Sequence, residues 1–327
     1  MISKISTPYH GIPGKGSAFR TIFQVAQELG VKACAVVDSD LRSITPEWID
    51  LLIRPVLNRG FDFVSPYYLR HKFDGTITNS IIYPVTRALY GKHIRQPIGG
   101  DFGFSGKLAE YYLTKDVWET DVARFGIDIW MTTTAIANDF KVCQAFLGAK
   151  IHAAKDPSSD LSAMLTQVVS ALFMLMEGYA DKWKEIKSTE PVPLFGFEFS
   201  VGLEPVNVNL DRMIGMFDLG IKELSDLLSD ILSTDSMREL VETSSSDQFT
   251  FTDDLWARII YDYALACHRK VMSVDHILKT LTPLYLGKVA SLVQDMMESS
   301  AHEVEHRLED LCIAFEKLKP YLIERWG

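Results

Sequence analysis

Asp38 and Asp40 stand one residue apart at the end of the apolar run Ala33-Cys34-Ala35-Val36-Val37. Carboxylate oxygens suit a hard divalent cation, and a cation held there can in turn grip the diphosphate of a nucleotide. Acidic pairs after strands also serve as helix caps or solvated turns, so the triplet by itself leaves both uses open. Four further places carry chemistry. In Gly11-Ile12-Pro13-Gly14-Lys15-Gly16-Ser17, glycine amides can approach an anion and Lys15 supplies a point charge. The spacing is not that of a P-loop, and a flexible turn with a solvated lysine reads equally well. Gln96-Pro97-Ile98-Gly99-Gly100-Asp101-Phe102-Gly103-Phe104 sets an acid among glycines, either a loop that brings backbone to a ligand or a surface turn. Asp128 falls in the first turn of a predicted helix, as a dipole partner or an active-site base, and taken alone it reads as the former. His152 lies just past a predicted strand, the same kind of place as the acidic pair, and is a candidate third metal ligand.

The elements that must position these residues follow from periodicity. Five small or β-branched apolar residues before Asp38 predict a strand covered on both faces, opening its polar end at the carboxyl edge of an α/β sheet. A helix is predicted over about 17–29, closed by Gly30, and Thr45-Pro46-Glu47 opens another that runs to about Asn58. Phe61–Tyr67 reads as a second strand. Thr76–Tyr90 reads as a helix burying Ile77, Ile81, Ile82, Val85 and Leu89, and the loop Gln96–Phe104 leads to a helix opening near Ser105. A short strand over Lys141–Leu147 and a long helix over Leu161–Trp183 complete an alternation that predicts an α/β sheet with crossover helices. Pro191-Val192-Pro193 marks a boundary, giving an α/β domain over 1–190 and a helical region over 191–327. There, helical patterns at 211–233, 253–270 and about 284–319 flank the polar linker Thr243–Ser246. Their stripes, such as Leu308, Leu311, Cys312, Phe315 and Leu318, predict core or dimer contacts of a bundle. His302 and His306 share a helix face with Glu305, but His-Glu-Val-Glu-His has the wrong order for a zinc helix and reads as an exposed charge ladder.

The totals bound the function. A chain of 327 residues, 47% hydrophobic, has room for one large or two moderate domains. Its net charge of −10 argues against nucleic acid or an anionic membrane as the main partner. Cys34, Cys143, Cys267 and Cys312 show no paired spacing, so reduced thiols are expected. No run of about eighteen apolar residues occurs and the start lacks a signal-peptide core, which predicts a cytoplasmic protein without a membrane span.

Taken in order, Gly14-Lys15-Gly16, Asp38-Ser39-Asp40, Gln96-Pro97-Ile98-Gly99-Gly100, Phe125-Gly126-Ile127-Asp128 and Gly148-Ala149-Lys150-Ile151-His152 form a series. It resembles the retaining glycosyltransferases of the glucosyl-3-phosphoglycerate synthase and mannosyl-3-phosphoglycerate synthase type, over roughly residues 10–185. The resemblance implies a GT-A, Rossmann-like nucleotide-sugar fold. It also implies a divalent metal, Mg or Mn, and transfer of a hexose from a donor such as UDP-glucose or GDP-mannose to a small hydroxyl acceptor. Residue by residue, it implies that Lys15, flanked by Gly14 and Gly16, contacts the donor nucleotide, and that Asp40 and His152 bind the metal. Asp38, with Ser39, would face the ribose or the metal's outer shell. Gly99 and Gly100 would line the acceptor and sugar site with Thr78, and Asp128 stands where the family has a glutamate near the transferred sugar.

Two departures shape the expectation. Acceptor phosphate is held in this family by an arginine ahead of a threonine, where this chain has Thr76-Ile77-Thr78, and His152 is followed by Ala153-Ala154 instead of Arg-Asn. No strong phosphate requirement is therefore expected. A GT-A domain also begins with two or three further strands, whereas about ten residues precede the glycine-lysine loop here. The expectation is a fragment, a homo-oligomer or partner chain that supplies those strands, or, as the alternative to an enzyme, a non-catalytic scaffold working through oligomer contacts.

Overall fold

The computed structural model describes residues 4–8, 11–151, 161–197, 206–246 and 249–327, apart from the side chains at 301 and 302. Helix α1 (Lys15–Glu28) leads to strand β1 (Ala33–Val36), α2 (Pro46–Arg59) and β2 (Phe63–Leu69). A π-helical turn (Thr78–Ile82) runs into α3 (Tyr83–Tyr90), followed by β3 (Lys92–His93), β4 (Phe102–Ser105) and α4 (Gly106–Leu113). A 3-10 turn (Asp121–Ala123) precedes α5 (Ile127–Ala137), β5 (Val142–Ala149), α6 (Ser162–Gly178) and α7 (Ala180–Trp183). Strands β6 (Glu190–Pro191) and β7 (Leu194–Phe195) come before the helices α8 (Leu210–Glu223), α9 (Ser225–Ile231), α10 (Thr234–Ser244), α11 (Asp253–His268), α12 (Val274–Met296) and α13 (Ala301–Trp326).

Helix boundaries follow local chemistry. Pro46 opens α2 with Glu47 in its first turn, and Gly60, at φ 69°, closes it in the left-handed conformation. Ser105 and Thr252 accept hydrogen bonds from Leu108 N and Leu255 N to cap α4 and α11, and Ser300 with Glu303 forms a capping box on α13.

The main sheet has the order β1-β4-β2-β5-β7. β2, β5 and β7 are parallel, and β4 runs antiparallel to both β1 and β2, so β1 points the same way as β2. The α/β alternation read from the sequence therefore holds, with two corrections. Phe102–Ser105, read as loop, is an inner strand: Gly103 disguised it, and a Cβ there would fall 2.0 Å from Leu52 O, so the glycine is what lets α2 lie on the sheet. β1, expected to be covered on both faces, is an edge strand, half-buried except at Val36. The predicted helix over 161–183 also divides at Tyr179, and that over 76–90 begins as the π turn.

Two apolar layers sandwich the sheet. Alternation sends Val64, Cys143, Ala145 and Leu147 toward Trp48, Leu52 and Val56 of α2, whereas Phe63, Phe102 and Phe104 join the opposite layer. That larger cluster is continuous from Phe19 on α1 to Trp326 on α13. The C-terminal helices brace the segment that follows β2. Thr76 Oγ1 meets Tyr285 Oη at 2.6 Å, Trp256 Nε1 donates to Ser80 O at 2.7 Å, and buried Arg87 is gripped by Glu309 at 2.5 Å and Glu316 at 2.6 Å. No helix among the described residues is long and apolar enough to cross a membrane.

Candidate active site

Because β1, β2 and β5 point the same way, their carboxyl ends deliver Asp38, Arg70 and Lys150 to one edge of the sheet. Antiparallel β4 brings the residues before its start, Gly99, Gly100 and Asp101, to that same edge. Lys15 at the start of α1 and Asp128 in the first turn of α5 meet them there. A cleft of about 270 Å³ opens between these groups, with Ile98, Phe125, Met164 and Val168 among its apolar walls.

Lys15 links the two acids the sequence singled out. Its Nζ lies 2.8 Å from Asp38 Oδ1 and 3.1 Å from Asp128 Oδ1, and it donates a hydrogen bond to Asp128 Oδ2 at 3.2 Å. Burial works against its charge, but Asp128 and Asp38 outweigh burial and hold the ammonium above its ordinary pKa. Burial likewise opposes the charge of Asp38, yet Lys15 and Lys150 prevail and keep its carboxyl below the usual range. At Asp128 the balance reverses. Burial dominates, Asp38 adds to it and Lys15 only partly offsets it, so the pKa rises. Asp128 is 7% exposed, and its Oδ1 accepts no hydrogen bond.

Two groups at this edge were missed as site residues. Lys150 bonds Asp38 Oδ2 at 3.0 Å, Gly99 O at 2.7 Å and Asp101 Oδ2 at 3.2 Å. Asp101, fully buried, accepts from Asp38 N at 2.7 Å and from the Tyr68 hydroxyl. The available signal was positional: Lys150 follows a strand and Asp101 precedes one, which matters only once β4 is known to be antiparallel.

The remaining predicted residues fall as follows. Asp40 lines the cleft mouth, exposed, and among the described residues none pairs with it. Thr78 lines the cleft from the π turn and is buried. Ser39 is exposed in the turn and does not line the cleft. His152 lies outside the described residues. Gly14 and Gly16 do not form an open phosphate cradle: Gly16 N donates to Arg124 O at 3.2 Å, and Cβ atoms there would fall 2.5 Å from Ala123 O and 1.8 Å from Val122 O. Their smallness lets α1 start against the 121–124 turn. Gly99 and Gly100 do not line the cleft either. A Cβ on Gly99 would strike Pro66 at 2.2 Å, and one on Gly100, at φ +87°, would strike Asp38 Oδ2 at 2.1 Å, so both make room for site residues behind the wall.

Among the described residues no group of three or more His, Cys, Asp or Glu side chains is arranged to hold a metal ion. Each Asp38 oxygen is already engaged by a lysine, which leaves Asp40 as the carboxylate of the pair without a cationic partner among the described residues. One or two carboxylates completed by substrate phosphates is how Mg commonly binds, so the donor set fits a metal that arrives with a diphosphate better than a preformed metal centre.

Fold and site together define an α/β protein with an acid- and lysine-lined cleft at the carboxyl edge of a mixed sheet. No protein-family model and no curated protein sequence matches the chain. Solved structures do. Glucosyl-3-phosphoglycerate synthase from Mycobacterium tuberculosis, in complex with Mn2+, UDP-glucose and phosphoglyceric acid, matches at 19% identity over 52% of this chain and 56% of that one, with a TM-score of 0.41. The same enzyme with Mg2+ and UDP matches at 19% identity and a TM-score of 0.41. Mannosyl-3-phosphoglycerate synthase from Rubrobacter xylanophilus matches at 20% identity over 53% of this chain and 55% of that one, with a TM-score of 0.38. These are the two kinds of enzyme that the motif series resembles, and the chain spans about half the length of each.

Proposed function

We propose that the chain is a metal-dependent, retaining hexosyltransferase of the GT-A type, moving a sugar from UDP-glucose or GDP-mannose to a small hydroxyl acceptor. The observation that carries this reading is the meeting of Lys15, Asp38, Asp40 and Asp128 at one cleft from three separate segments of sequence. Lys15, 21% exposed, faces the donor diphosphate, exchanging part of its contact with Asp38 and Asp128 for phosphate oxygens. Asp38 steadies Lys15 and stands on the ribose side. Asp40, with His152 as its proposed partner, would hold Mg2+ or Mn2+, whose chemistry when bound is to neutralise the leaving diphosphate. Asp128, at the cleft wall beside Lys15, would counter with its carboxylate the positive charge that develops on the sugar as the bond to the leaving oxygen stretches. Retention of configuration rests on the resemblance. Residues 1–190 supply this chemistry and 191–327 brace the segment after β2.

The acceptor is proposed to need no phosphate. The hydroxyl of Thr76 is tied to Tyr285 and Lys72 to the carbonyls of Met297 and Ser299, so neither stands ready as a phosphate clamp; Arg70, on the cleft wall and held to Asp74 by one 3.4 Å contact, is the side chain of this loop on which the proposal turns. Initial rates with 3-phosphoglycerate, glycerate and simple polyols test this; a clear preference for the phosphorylated acid overturns it. Calorimetric titration with UDP or GDP, with and without Mn2+, separates the transferase from a non-catalytic scaffold. Metal-dependent heat with at least one nucleotide is expected, and its absence with both favours the scaffold. A cytoplasmic homo-oligomer is part of the same proposal, and sedimentation as a monomer at micromolar concentration would refute the oligomer.

A further inference from the structure

Lys150 also lines the cleft but is more enclosed than Lys15. Strand β5 carries it to the site edge, where its own N–H donates to Leu69 O at 3.3 Å and its side chain is 7% exposed. An ammonium has three N–H donors, and here three oxygens take them: Gly99 O at 2.7 Å, Asp38 Oδ2 at 3.0 Å and Asp101 Oδ2 at 3.2 Å. Those oxygens come from two segments, one after β1 and one ahead of β4, and the ammonium ties both to the end of β5, where Ile151 also bonds Arg42 N and Ser43 Oγ. The face of Tyr68 lies 5.2 Å from the ammonium, and the Tyr68 hydroxyl and Asp38 N–H fix Asp101 from behind. The wall is closed by Gly100, where an added Cβ would sit 3.1 Å from Lys150 Nζ. Two carboxylates and a carbonyl around one point are also what a hard divalent cation selects.

We propose that Lys150 is a positioning residue that acts as a resident cation. Its ammonium fills the oxygen cage of Asp38, Asp101 and Gly99, so a divalent cation is kept off Asp38 and left to Asp40, and Asp38 is held as the counter-ion of Lys15. The cage stands on the geometry alone; the assignment of metal to Asp40 rests on the proposed function. A merely structural lysine would leave metal preference unchanged.

The probe is Mn2+ alone, followed by electron paramagnetic resonance on the nucleotide-free full chain. Wild type is expected to bind Mn2+ weakly. Lys150→Met is expected to gain one site at least tenfold tighter, and Asp101→Asn in that background is expected to abolish the gain. A folded Lys150→Met protein without the gain, or a gain that survives Asp101→Asn, overturns the cage. Should Lys150→Met not fold, Asp38→Asn and Asp40→Asn decide, since both leave Lys150 itself in place. Mn2+ affinity in the presence of UDP or GDP should fall at least tenfold in Asp40→Asn and less than threefold in Asp38→Asn, and equal losses refute the proposal. Wild-type protein that binds no Mn2+ with either nucleotide refutes the transferase reading instead, while leaving the Lys150→Met titration to judge the cage.

Discussion

Replacing Gly100 by alanine separates a backbone effect from a site effect. Gly100 sits at φ +87°, and an alanine Cβ there would lie 2.1 Å from Asp38 Oδ2 and 2.8 Å from its Cγ. Adopting a left-handed backbone costs an alanine about 1–2 kcal/mol. In addition, Asp38 must swing away from Lys150, which it meets at 3.0 Å, and strain its 2.8 Å pair with Lys15. Loss of a fully buried ion pair costs about 3–5 kcal/mol, but the Asp38 side chain is 26% exposed and water recovers part of this, leaving about 1–2 kcal/mol. The expected total is about 2–4 kcal/mol in urea denaturation. Gly60→Ala is the internal control, because Gly60 has φ +69° and nothing within 4 Å of an added Cβ. It should lose only the backbone part. Equal losses for the two variants, within about 0.5 kcal/mol, would show that Asp38 does not occupy the space beside Gly100.

Three other outcomes are expected from the same structure. Asp128→Asn should lower kcat by about 10²–10⁴ while donor affinity changes little, since it removes the charge proposed to face the sugar; a near-normal kcat in initial-rate measurements would remove Asp128 from the chemistry. Arg87→Met should destabilise the protein by about 2 kcal/mol, less than a fully buried pair because Glu309 and Glu316 side chains are 45% and 28% exposed and regain water, and an unchanged urea midpoint would contradict the bracing role of α13. Lys288, buried against Asp253, has its pKa lowered from 10.5 to about 8, chiefly by burial, so between those values the unfolded chain binds more protons than the native one and stability contributed at this site rises with pH. The stability of wild type relative to Lys288→Met should therefore climb by up to about 3 kcal/mol from pH 8 to 10.5, and a flat difference would show that burial does not depress this lysine.

What the sequence disclosed was what local pattern controls. The helix from Pro46 to Arg59 was readable from its proline, early acid and closing glycine, and the run before Asp38 from its small apolar residues. That Lys15, Asp38 and Asp128 belong to one site was implied by the family resemblance, since each taken alone reads as well as a turn, a cap or a dipole partner. Strand β4 was hidden because Gly103, required by the close passage of α2, mimics a loop signal. Losing β4 also hid Asp101, since an acid before a strand reaches the carboxyl edge of its neighbours only when that strand is antiparallel. The glycines at 14, 16, 99 and 100 carried the loop chemistry expected of ligand contact, but close approach to a ligand and close approach to protein backbone demand the same residue. Which of the two applies is a matter of tertiary neighbours: the 121–124 turn, Pro66 and Asp38.

The central claim, that this cleft cleaves a sugar from a nucleotide diphosphate with help from a metal at Asp40, is tested most directly by donor hydrolysis. UDP-glucose and GDP-mannose are incubated with the protein and Mn2+ or Mg2+, and released hexose is measured for wild type and Asp40→Ala. The account predicts release from at least one donor that depends on the metal and falls at least a hundredfold in Asp40→Ala. Hydrolysis that is indifferent to the metal, or unchanged by Asp40→Ala, would contradict it.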